Sequence, residues 1–99
     1  MQINLTGIKR VMLDVLKPHQ PSIIEVLKNL MTLKGSRVNI SLDEVDAQTD
    51  SVKITIEGTN IDYAQVKKEL AECDAVIRSI DGVSAGVKMI DEVNTPQDR

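Results

Sequence analysis

Between Ile8 and Leu16 apolar and polar residues alternate, with Val11, Leu13 and Val15 on one side and Arg10, Met12 and Asp14 on the other. A repeat of two is the mark of a strand with one wetter face. Pro18 and Pro21 break the extended run, and Ser22 followed by Glu25 is the capping-box pattern that opens a helix. Ile23, Val26, Leu27, Leu30 and Met31 recur along that helix at steps of three and four, and Gly35 supplies its stop. Alternation returns in RVNISLDEV, where Val38, Ile40 and Leu42 oppose Asn39, Ser41 and Asp43. The polar stretch DAQTDS turns the chain into SVKITIEG, with Val52, Ile54 and Ile56 inward, Lys53, Thr55 and Glu57 outward, and Gly58 at the end. Asp62 with Gln65 opens a second helix whose inward stripe is Tyr63, Val66, Leu70 and Cys73, with Ala64 and Ala71 beside it. A fourth strand begins near Ala75 in AVIRSID and is interrupted at Gly82.

The order strand, helix, strand, strand, helix, strand predicts an α+β, ferredoxin-like sandwich: a four-stranded antiparallel sheet in the order 4-1-3-2 with two helices on one face. The expected domain spans residues 1–90, followed by a frayed polar tail, DEVNTPQDR, over 91–99. The apolar segment VSAGVKMI exceeds what four strands require. Together with Met12 and Leu16 on the uncovered sheet face, it predicts either burial between subunits of a homo-oligomer or a fold back onto its own domain.

A formal charge of −3, with acids and bases interspersed, and Tyr63 as the one aromatic residue argue against a nucleic-acid surface. No apolar run approaches the roughly 20 residues that cross a bilayer, and MQINLTGIKR lacks the basic start and apolar block of a signal peptide, so a cytoplasmic location without membrane partners is expected. The single cysteine, Cys73, has no partner within the chain and reads as a small buried hydrophobe.

Candidate chemistry centres on Asp14, a carboxylate on the face the helices leave bare. The first and third strands are expected to lie parallel in the middle of the sheet, which brings Glu57 to the same end, with Asn39, Ser41 and Arg78 contributed by the flanking strands. Two readings follow: an ion-pair network, or a calcium or magnesium site held by Asp14 and Glu57 with hard oxygen ligands around it. Facing in the last strand stays open, since Ser79 and Asp81 replace Arg78 if Val76 and Ile80 point to the helices. Asp46, Gln48, Asp50 and Glu57 match four positions of an EF-hand loop, but Ser51 stands where glycine is needed and the flanks are strands, so a polar hairpin turn is expected instead. Lys17, the lone His19 and the free amides near Ser22 are candidates for holding a small anion. No nucleophile triad, paired-cysteine motif or phosphate-binding glycine loop is present, so a non-catalytic module is expected. The alternatives are an enzyme using Asp14 or His19 as general base in an interfacial pocket, and a regulator of the amino-acid-binding type.

VMLDVLKPHQPSIIEV, NISLDEVD, VKITIEG and SIDGVSAG, in this order from about Ile8 to Val87, resemble the archaeal family known as domain of unknown function 211. The resemblance implies a ferredoxin-like fold and homo-oligomeric members, without an established biochemical role. Asp14, Lys17, Pro18, His19, Glu57, Gly58, Ser79 and Asp81 carry the family's pattern. Arg78 stands where that pattern implies histidine, which weighs against a metal ligand there.

Overall fold

The structure, a computed structural model, describes residues 6–87. In chain order they form β1 (Thr6–Pro18), α1 (Ile23–Leu30), β2 (Ser36–Val45), β3 (Thr49–Gly58), α2 (Tyr63–Glu72) and β4 (Val76–Val87). The sheet order is β2-β3-β1-β4, with the helices on one face, which is the ferredoxin-like arrangement.

Alternation does what a pleat requires. Val11, Leu13 and Val15 of β1 and Val52, Ile54 and Ile56 of β3 point at the helices and are buried with Val26 and Leu30 of α1 and Val66 and Leu70 of α2. Ser22 caps α1 in both directions: its hydroxyl accepts from Glu25 N–H, and Glu25 Oε1 accepts from Ser22 N–H. α1 stops at Leu30, earlier than Gly35 suggested, so Met31 becomes an exposed cap residue rather than part of the inward stripe. Gly35, at φ 73°, instead sits in the turn that feeds β2. Asp62 caps α2, on which Ala64 and Ala71 are exposed. α2 ends without a glycine: Asp74 takes the left-handed conformation at φ 59° and donates to Ala71 O, while the buried Ala75 donates to Leu70 O, closing the helix as a Schellman motif.

Two expectations about the sheet are corrected. β1 and β3 are antiparallel, with Arg10 opposite Glu57 and Asp14 opposite Lys53. A helical crossover makes β1 and β2 run the same way, and the β2–β3 hairpin then reverses β3 against both. Gly82 does not interrupt β4, which continues to Val87 beside Thr6; only residues 88–90 of VSAGVKMI, and the tail over 91–99, lie outside the described residues. β4 also carries two β-bulges. Between Leu13/Ile80 and Met12/Gly82 the residue Asp81 is extra, and between Val15/Ile77 and Asp14/Ser79 the residue Arg78 is extra.

Candidate functional site

One more step along the inward alternation of β1 reaches Lys17, whose side chain is completely buried at the end of the sheet. An ammonium has three N–H donors and no acceptor. Here they meet Pro18 O at 2.7 Å, His19 O at 3.3 Å and Asp50 Oδ2 at 3.2 Å. Asp50 lies on β3 directly across from Lys17, and its other oxygen, Oδ1, is 2.8 Å from His19 Nδ1. His19 Nε2 is 3.0 Å from Ala47 O, at the tip of the β2–β3 turn that Asp46 N–H closes onto Thr49 O. Both ring nitrogens therefore face acceptors, an arrangement satisfied in full only by the imidazolium. Accordingly the Ala47 carbonyl and then the Asp50 carboxylate raise the His19 pKa above its usual value. Burial pushes Asp50 upward, but hydrogen bonds from His19 and Lys17 outweigh it and hold the carboxyl below the usual carboxylate range. The expected anion grip is not assembled: the polar groups of Lys17, His19 and Ser22 are engaged inside the chain.

The bare face of the sheet carries a second network. Asp14 Oδ2 accepts from Arg78 at 3.0 Å, and Asp14 Oδ1, shielded from solvent and without a hydrogen bond among the described residues, is 3.8 Å from Lys53 Nζ. Lys53 also reaches Asp81 at 3.3 Å, and Ser79 donates to the other Asp81 oxygen at 2.7 Å. The question of Arg78 against Ser79 thus dissolves: the bulges bring Arg78, Ser79 and Asp81 into one network with Asp14. The hydrogen bond to Asp81 is the first cause of a raised Lys53 pKa, and bonds from Ser79 and Lys53 lower that of Asp81.

Glu57 is not part of this network. It sits four residues along the ladder, opposite Arg10, whose Nε is 3.5 Å from its carboxylate. Asn39 and Ser41 are exposed on β2, opposite Thr55 and Lys53. Asp14 and Glu57 do not converge, and among the described residues no three His, Cys, Asp or Glu side chains gather as metal ligands. Asp14 and Asp81 are neutralised instead by Arg78 and Lys53. Asp50 and Lys53 were not singled out with the Lys17 and Asp14 candidates. The parity that made Lys17 inward was visible, but its partner followed only from the direction of β3.

On the helix side, α2 and the edge strand β4 enclose a groove of about 460 Å³, floored by Leu70, Ala75, Ile77 and Ile80 and bordered by Tyr63 and Lys67. Lys67 Nζ lies 5.7 Å from the centre of the Tyr63 ring. Cys73 is buried, and its thiol pKa is raised first by that burial and then by Glu72.

Fold and buried charge network together define a small ferredoxin-like protein. Residues 9–99 match the family model for domain of unknown function 211, described as uncharacterised ArCR, and the chain belongs to that family. It is 45% identical, over 96% of its own length and 99% of the other's, to an uncharacterised protein of the archaeon Methanocaldococcus jannaschii. Among the described residues no helix is long and apolar enough to cross a membrane.

Proposed function

We propose that the chain is a cytoplasmic, non-catalytic, self-associating module. The observation that carries this reading is the set of large apolar side chains left on the surface: Ile24, Met31, Leu42, Val45, Val76, Ile80 and Val83 are each about half exposed or more. A small domain that buries its core this well rarely leaves so many uncovered without a partner. They lie mainly on the helix side, because Leu42 and Val45 share the parity of buried Val52 and Lys17-paired Asp50, and Ile80 and Val83 that of buried Leu13 and Val11. The contact surface is therefore moved from the bare sheet face, which is mostly charge-paired, to the margins of the helical face. The non-catalytic half of the reading is supported by Lys17, His19 and Asp50, the groups best suited to proton transfer, being tied to one another and to backbone carbonyls. Sedimentation velocity at micromolar concentration tests the reading: an assembled species is expected, and a monomer overturns it.

A further inference from the structure

We infer that His19 is a pH-operated latch: its imidazolium holds the β2–β3 turn closed, and loss of the ring proton releases the turn while the sandwich stays folded. The latch belongs to the single chain and does not depend on self-association. It is needed because the turn is weak by itself. Asp46 N–H donates to Thr49 O at 2.8 Å, with Ala47 and Gln48 at the tip, and neither tip residue is of a type that favours turns. A two-residue hairpin loop that matches the twist of its strands takes positive φ at the first tip residue or at both. Among the described residues Asp74 is the only non-glycine with positive φ, so Ala47 and Gln48 do not form such a loop. Asp46, Ala47 and Gln48 are exposed, and β2 breaks register at Asp43 shortly before them, so neither burial nor an unbroken ladder fixes the tip. A tie from outside the hairpin is supplied by His19, whose Nε2 is 3.0 Å from Ala47 O.

The ring can hold that tie in one protonation state only. Imidazolium donates twice, from Nδ1 to Asp50 Oδ1 and from Nε2 to Ala47 O, whereas the neutral ring has one N–H for the same two acceptors. The remaining proton stays with the stronger acceptor. Asp50 carries a formal charge and is fixed in place by the Lys17 ammonium on its other oxygen, so Nδ1 keeps its hydrogen. A bare lone pair on Nε2 then faces the Ala47 carbonyl oxygen, and two acceptors in that position repel. Accordingly the Ala47 contact stands first among the causes that favour the charged ring. The charges acting on the ring come from the strands beside it: Asp50 of β3 favours the imidazolium and Lys17 of β1 opposes it. The first-turn acid of α1, Glu25, is turned back onto Ser22 N–H.

Release stays local because the anchor of the ring does not move with its charge. The His19 carbonyl, the Pro18 carbonyl and Asp50 Oδ2 all accept from Lys17, and these bonds are the same for a charged or a neutral ring. What is freed is the tip next to the exposed Val45, so the shape of the β2 margin follows pH.

Nuclear magnetic resonance of the wild type tests the latch without any substitution. Ring nitrogen shifts report the charge and tautomer of His19, and amide exchange, divided by its intrinsic rate at each pH, reports opening of the turn. As the ring titrates, with a midpoint above about pH 6.5, the neutral form is expected to carry its proton on Nδ1. Over the same range protection of the Asp46 N–H should fall about tenfold, the size of one charge-assisted hydrogen bond. The amide shifts of Leu13 and Ile54 should stay where they are, since the central strands remain folded. In His19→Ala the Asp46 amide should show the low protection at every pH. A neutral ring protonated on Nε2, or Asp46 protection that does not follow the ring, overturns the latch. So does a His19→Ala chain that keeps the wild-type pH response, or movement of the Leu13 and Ile54 shifts together with the opening of the turn.

Discussion

Lys17 places a charged amine inside the end of a small sandwich, where an unpaired ion is costly to keep. It is tolerated because three acceptors, two of them main-chain carbonyls of its own loop, match its three donors. Lys17→Met keeps the length of the stem but leaves Asp50 and the Pro18 and His19 carbonyls without that donor. We expect a loss of about 3 kcal/mol, the size found when one partner of a buried pair is removed; urea unfolding at neutral pH measures it, and a loss under about 1 kcal/mol counts against the buried network. His19 adds a dependence on pH. Its folded pKa is raised, so its contribution is complete below the unfolded value of about 6.5 and fades as pH rises through the folded value. Asp50 is lowered, so its contribution is present above about 3.9 and fades as pH falls through its folded value. Stability from this network is therefore greatest between roughly pH 4 and 6.5. His19 is the only histidine, so His19→Asn should flatten the decline above that window in unfolding free energies measured from acid to mildly alkaline pH. An unchanged slope removes the assignment.

At the scale of elements, what could be read from the chain was whatever depends on neighbours a few residues apart. Period-two alternation located β1, β2 and β3 and the inward faces of β1 and β3, the start of β4 was placed near Ala75 with its facing open, and Ser22 and Asp62 marked the helix starts correctly. Strand direction was recoverable in principle, since a hairpin between β2 and β3 forces β3 against β1. Taking the central strands as parallel carried Glu57 to the wrong end and away from its partner Arg10. The bulges of β4 had no such signal. No proline or glycine marks Arg78, Gly82 beside Asp81 read as an interruption rather than a bulge, and a single inserted residue shifts every later side chain to the other face. That is why the Asp14 cluster was half legible: Asp14 with Arg78 or with Ser79 and Asp81 followed from parity, but their union did not, and Lys53 required the antiparallel ladder. The αL position at Asp74 was equally hidden, because aspartate there reads as polar loop rather than as a helix stop.

For the whole molecule, the distribution of exposed apolar residues matters more than their number. The bare sheet face, though uncovered, has most of its charges matched within the chain: Arg10 with Glu57, and Asp14 and Asp81 with Lys53 and Arg78. The helical face has the opposite character, with unmatched apolar margins at both edges of the sheet. Covering those margins with further copies would couple assembly to folding, because an assembled state binds the native chain and not the unfolded one. The thermal midpoint of the wild type should then rise with protein concentration over a roughly hundredfold range, as mass action requires of a linked equilibrium. Ile80→Asp should make the midpoint independent of concentration without altering the monomer's own cooperative transition, since its side chain is half exposed and is not part of the buried core. Calorimetry at increasing concentration separates the two. A wild-type midpoint that does not move while sedimentation shows assembly would mean that association is not confined to the native chain at the midpoint, and would remove the link between assembly and folding.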